Sequence, residues 1–117
     1  MLVAFVRTNV HIEVMKIRGI EWDHGNWPKC GKHGATKDEI EHVLERTTFR
    51  VRDPYPDEER YNTAHPAMTG RHIFVAYTYR EHEDGVYMRP ISARPMHKNE
   101  VKRYEQIKQA MAKSQNP

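Results

Sequence analysis

The sequence predicts an α+β domain: a small, mostly antiparallel β-sheet packed with two short N-terminal helices and a C-terminal helix. Three stretches carry that expectation. Thr36-Lys37-Asp38-Glu39 is a capping box, with Ala35 and Ile40 at the staple positions, and it opens an apolar stripe of Ile40, Val43 and Leu44. His72–Tyr79 is apolar, aromatic and β-branched throughout, the pattern of a central strand covered on both faces. The polar run Glu81–Gly85, ending in Asp84-Gly85, turns the chain into Val86–Ala93, which Pro95 then stops.

The remaining elements fit around these in order. Val10, Ile12 and Val14 alternate with His11 and Glu13, so the first residues extend a strand or form a hairpin with Leu2–Val6. Met15-Lys16-Ile17 also reads as a start of translation, so residues 1–14 are expected to be an N-terminal extension to a domain of residues 15–113. Lys16–Trp22 reads as a strand whose period slips at Gly19, where a bulge is expected. Asp23 or Asn26-Trp27-Pro28 starts a short helix that Gly31 weakens and Gly34 ends. Thr48–Arg52 alternates as a strand with Phe49 and Val51 inward, and two prolines force a loop at Asp53–Asp57. Glu59–Ala64 is a weak strand, expected to be short or at an edge, stopped by His65-Pro66. The last helix is expected from His97 to Ala112, burying Val101, Tyr104, Ile107 and Met111, with Ser114–Pro117 as tail.

Composition narrows the class. The 117 residues suffice for one domain with a modest core, and 30% charged against 38% apolar is polar without being disordered in character. No apolar run is long enough to span a bilayer, and Leu2–Val6 is too short for a secretory signal core. The single cysteine, Cys30, cannot form an internal disulfide, which fits a reducing cytoplasm. Residues 89–117 hold seven Lys/Arg against two acids, a net of +5, whereas residues 1–88 have a net of −2. A basic C-terminal third suits a polyanion or an acidic protein partner, and equally a solvated Lys-rich helix. Met88–Arg94 concentrates the question, because it carries two arginines and no acid.

Several segments resemble the BrnT toxins. Glu21-Trp22-Asp23, Lys32-His33-Gly34 and Ile40–Leu44 are similar to that family's opening. Gly70–Val75 with Tyr77–Arg80 is similar to its central hairpin, and Arg89–Arg94 followed by Glu100 and Tyr104 to its closing signature. His97 departs from the Ser or Thr usual three residues before the Glu, and Tyr61–Met68 matches poorly. The resemblance implies a RelE-like fold and a cytoplasmic ribonuclease that arrests translation. It also implies neutralisation by a BrnA-like ribbon-helix-helix antitoxin, through which alone operator DNA is bound.

Metal-independent RNA cleavage needs a proton acceptor for the 2′-hydroxyl, a donor for the leaving 5′-oxygen, and cations on the phosphorane. Arginine suits the last because its planar fork binds phosphate oxygens in pairs. Arg80, Arg89 and Arg94 are the candidate catalytic cations, each alternatively a structural ion pair. Strict alternation puts Arg89 and Arg94 on opposite sheet faces, so sharing a phosphate requires a bend at Pro90 or Pro95. His33 beside Lys32 is the candidate acid–base pair, or else a packed turn residue. Tyr79, Arg60, Lys98 and Lys102 are candidate RNA contacts, and Glu100 and Ser92 candidate orienting residues, with Glu100 also a helix cap. Cys30 and His33 have CxxH spacing with His24 nearby, short of the four ligands zinc requires, so neither a metal nor another cofactor is expected.

Overall fold

The computed structural model describes residues 3–7 and 12–115, and the expected alternation at Val10 and His11 lies outside them. It contains β1 (Val3–Arg7), β2 (Ile12–Ile20), a 3-10 helix (Lys29–Gly31), α1 (Lys37–Arg46), β3 (Val51–Arg52), β4 (Tyr61–Pro66), β5 (His72–His82), β6 (Gly85–Pro95) and α2 (Lys98–Gln115). The strands form one sheet in the order β1-β2-β6-β5-β4-β3. Every neighbouring pair is antiparallel except β2 and β6, which are parallel. The fold is α+β, as the local patterns predict.

β1 pairs with β2 from Val3↔Lys16 to Arg7↔Ile12, and β2 runs unbroken through Val14 and Met15, where the sequence suggests a domain start. The slip at Gly19 is a register shift against β6 between Ile17 and Gly19. The first expected helix shrinks to one 3-10 turn. α1 begins as predicted: Thr36 Oγ1 accepts from the Glu39 amide while the Glu39 carboxylate accepts from the Thr36 amide.

Antiparallel partners share a face, so the β5–β6 register sorts the side chains. Ile73, Val75, Tyr77 and Tyr79 lie with Ala93, Pro90 and Met88 on one face, against Ile40, Val43 and Leu44 of α1 and buried Cys30 and Ala35. Phe74, Ala76, Thr78 and Arg80 share the other face with Arg94, Ser92, Arg89 and Tyr87. α2 covers one end of that second face, where Tyr104 is buried with its ring against Phe49 and His72.

Three expectations are corrected. Val51 does not point inward but is 54% exposed, because β3 is only two residues long and sits at the sheet edge. Ile107 and Met111 are not part of a buried stripe, being 44% and 39% exposed along α2 beyond buried Tyr104. The helix also continues through Gln115, so Ser114 is helical rather than tail, and residues 116 and 117 lie outside the described ones.

Asn26 locks the entry loop to β6. It is 3% exposed; its Nδ2 donates to the carbonyls of Glu21 and Pro90, and its Oδ1 accepts from the Asp23 amide. Asn26→Ala leaves these buried groups unpaired and is expected to cost about 2 kcal/mol, read as a lower urea midpoint at unchanged slope.

Candidate functional site

The β5–β6 register shifts between Ala76 and Tyr77: Tyr77 faces Pro90 but Ala76 faces Ser92, so Ile91 is an extra residue. This bulge reverses the parity of β6 and brings Arg89 and Arg94 to the same face, where strict alternation would separate them. The required bend therefore exists, next to Pro90.

Sharing a face does not make the arginines converge. Arg94 pairs with Phe74 and Arg89 with Thr78, while Arg80 lies two residues further along β5. At the strand rise, Arg94 and Arg80 are about 20 Å apart, too far for one phosphate. Each is also bound to carboxylate. Arg89, with its side chain 15% exposed, donates to Glu21 Oε1 at 2.7 Å and to both Asp23 oxygens at 2.8 and 3.0 Å. Arg94 forms a two-pronged pair with Glu100 at 2.7 and 2.6 Å, its guanidinium over the Phe74 ring. Arg80 reaches Glu58 at 3.4 Å, and Arg60 holds the same carboxylate at 3.0 Å while stacking on Tyr55. The three arginines therefore do not meet at one point: Arg94 stands apart, while Arg80 and Arg89 are neighbours on the face, each held by a carboxylate.

Glu100 has one bond beyond its pair with Arg94. Arg94 and the amide of His97 hold its carboxyl down to about 2, so the backbone half of a capping box survives where His97 lacks the hydroxyl. Ser92 is exposed on the arginine face, and Lys98 and Lys102 are exposed on α2. Lys32 and His33 are exposed in the turn before α1, on the opposite side of the sheet from the three arginines. Cys30 is buried in the core while His33 faces out.

The α1 face carries a different arrangement. A groove of about 300 Å³ is lined by Leu44, Thr48, Phe49, Arg50, Tyr77 and Tyr79 among others. Arg50 Nη1 donates to the Tyr79 hydroxyl at 2.6 Å, and the guanidinium lies 4.4 Å from the Tyr61 ring centroid and 5.7 Å from that of Tyr79. The rings of Tyr61, Tyr77 and Tyr79 are mutually tilted with centroids 5.7–5.9 Å apart. Burial pushes the Tyr77 phenol well above its ordinary range, so it stays protonated. The Tyr61 hydroxyl donates to Glu59 Oε2 at 2.8 Å. Among the described residues no carboxylate pairs with Arg50, in contrast to Arg60, Arg71, Arg80, Arg89 and Arg94.

The segment Thr47–Arg50 is held in place by polar contacts. Thr63 Oγ1 donates to the Phe49 carbonyl at 2.7 Å and bonds the Thr47 hydroxyl, and Phe49 anchors on Tyr104. Arg50 is therefore presented from a fixed backbone. Sequence reasoning singles out Tyr79 but misses Arg50, Tyr61 and Tyr77 as one set. The available signal is the one that marks Met88–Arg94: Thr47–Arg52 also holds two arginines and no acid.

A small α+β domain with an arginine on a floor of tyrosines, paired with no carboxylate among the described residues, offers a cation beside aromatic faces. A sequence model described as "Ribonuclease toxin, BrnT, of type II toxin-antitoxin system" matches residues 22–100, more than half of the chain. The chain belongs to that family of ribonuclease toxins. A comparison with curated proteins finds no match.

Proposed function

We propose that this chain is a metal-independent endoribonuclease that cuts RNA in the cytoplasm by attack of a 2′-hydroxyl on the adjacent phosphate. It thereby arrests translation and is neutralised by a BrnA-like ribbon-helix-helix antitoxin, which supplies any contact with operator DNA. The observation that supports the chemistry is Arg50, a cation without a carboxylate partner among the described residues, bonded to a phenol and resting on an aromatic floor. Its remaining N–H groups are free to bind the non-bridging oxygens as charge develops on the phosphorane. Because the Tyr79 hydroxyl accepts from Arg50, its own hydrogen is available to the leaving 5′-oxygen. Glu59, joined to the set through the Tyr61 hydroxyl, is the proton acceptor for the 2′-hydroxyl. A base flanking the scissile phosphate stacks on the half-buried rings of Tyr61 or Tyr79.

In this reading Arg89 and Arg94 hold the entry loop and α2 to β6, while Lys32 and His33 stand outside the reacting set. A second reading has one supporting observation: Arg94 spends only two of its five N–H donors on Glu100, so its outer edge remains open to a phosphate on the opposite face. The function is tested with an RNA oligonucleotide and its fully 2′-O-methylated copy. The purified chain is expected to cut the first and leave the second intact. Cleavage of both would remove the 2′-hydroxyl from the mechanism.

A further inference from the structure

Three of the large apolar side chains exposed on this molecule, Val51, Ile107 and Met111, lie on or beside one feature. It is a groove of about 320 Å³ between α2 and the β3–β4 edge, lined by Phe49, Val51, Ala64, Phe74, Tyr104 and Ile107. The first half of α2 is docked by buried Tyr104 and by the Arg94–Glu100 pair, whereas the second half presents Ile107 and Met111 to solvent. Their i,i+4 spacing makes one apolar strip on the helix surface, continuous with the groove floor. β3 borders it as the outermost strand, pairing only with β4.

The rim is basic. α2 carries Lys98, Lys102, Arg103, Lys108 and Lys113 against Glu100 and Glu105. Both acids are spent, Glu100 on Arg94 and Glu105 on His72. Among the described ion pairs none involves those five cations. RNA would satisfy the cations but has no aliphatic surface to bury against Ile107 and Met111, whereas an acidic amphipathic protein segment satisfies both.

We propose that this groove seats the antitoxin, which lays an acidic amphipathic segment along α2 with its aliphatic side chains on Val51, Ile107 and Met111. The carboxylates of that segment face the lysines of the helix. This rests on the family's having an antitoxin partner and not on the cleavage chemistry, since the groove lies on the opposite side of the sheet from Arg50. Neutralisation then proceeds from the face opposite Arg50 and not by filling the Arg50 groove, and salt weakens it.

The test uses the full chain and its own antitoxin, co-expressed and purified as the complex. Amides of 49–51 and 101–114 are expected to gain protection from hydrogen exchange relative to the free chain. Ile107→Asp and Met111→Asp are expected to weaken antitoxin binding about tenfold or more in direct titration, while the free variants cut RNA like the parent. Met111→Gln, a milder change at an exposed position, serves where the aspartates perturb folding. Unchanged antitoxin affinity in these variants, with no added protection on α2, would overturn the proposal. So would loss of RNA binding at unchanged antitoxin affinity, which would give this face to RNA. Weakened antitoxin binding in a chain that cuts no RNA would leave the docking site standing and remove the ribonuclease chemistry.

Discussion

Arg50→Ala is expected to slow RNA cleavage by about 10²–10³-fold while leaving thermal unfolding unchanged. The magnitude is that of removing one donor aimed at developing charge in a reacting phosphate or acyl group. Stability should hold closely because Arg50 has no carboxylate partner among the described residues; its removal frees the Tyr79 hydroxyl, which can bond water, and gives up the cation–ring contact of an exposed side chain with Tyr61. Arg50→Lys keeps the charge but loses the planar contact with Tyr61 and the forked donor geometry, so partial activity is expected. Arg94→Ala should behave in the opposite way, lowering stability through the loss of its link to Glu100 while the rate per folded molecule stays near that of the parent. Measuring single-turnover cleavage and the melting temperature on the same preparations separates the two. If Arg94→Ala abolishes cleavage and Arg50→Ala does not, the reacting phosphate sits on the other face.

The largest expected effect on stability belongs to Glu39. It is 5% exposed and accepts from Arg71 through both oxygens at 2.7 and 2.8 Å, from the Thr69 hydroxyl at 2.8 Å, and from the Thr36 amide that opens α1. These bonds, chiefly those from Arg71, hold its carboxyl down to about 2 from an ordinary 4.5. A folded-state value below the unfolded one means the stabilisation is complete above about pH 4.5 and disappears as pH falls toward 2. Its size is on the order of 3 kcal/mol, a large part of the stability of a small domain. Glu39→Ala should cost a comparable amount at pH 7, and the variant should lose much of the parent's stability change across that acid window. Chemical denaturation at pH 7, 5 and 3 measures both. A variant that keeps the parent's full acid sensitivity would assign it to other carboxylates.

The contrast between Glu39 and Arg50 shows what a chain reveals before it folds. The Thr36–Glu39 capping box is local, four residues answering one another's backbone, and it reads directly as a helix start. The third partner, Arg71, is 32 residues away, and nothing in the sequence joins it to Glu39. β5 is legible for the same local reason, since an unbroken apolar and aromatic run has few other places to go. The arginines of β6 are legible as a cluster but not as a geometry. Their common face depends on one extra residue at Ile91, and a single-residue bulge inverts every face assignment beyond it.

Arg50 escapes because the alternation Phe49, Arg50, Val51 suggests a strand with the arginine pointing to water. Instead Thr47 and Thr63 pin the segment between α1 and the sheet edge, and β3 is confined to Val51 and Arg52. The tyrosines that receive Arg50 come from β4 and β5, so the set assembles only when three distant segments meet. The helical period of α2 correctly predicts an amphipathic helix but not that its strip outruns the sheet. Where an apolar stripe ends up depends on what lies opposite, and none of the described residues covers Ile107 and Met111.

The central claim, that a 2′-hydroxyl attacks the phosphate without a metal, is tested most directly by the chemistry of the cut ends. The free chain is incubated with a single-stranded RNA in excess EDTA, and the products are identified by mass spectrometry. Cleavage is expected under these conditions, with a 2′,3′-cyclic phosphate on one fragment and a 5′-hydroxyl on the other. Products bearing 5′-phosphate and 3′-hydroxyl, formed only when a divalent cation is restored, would contradict it.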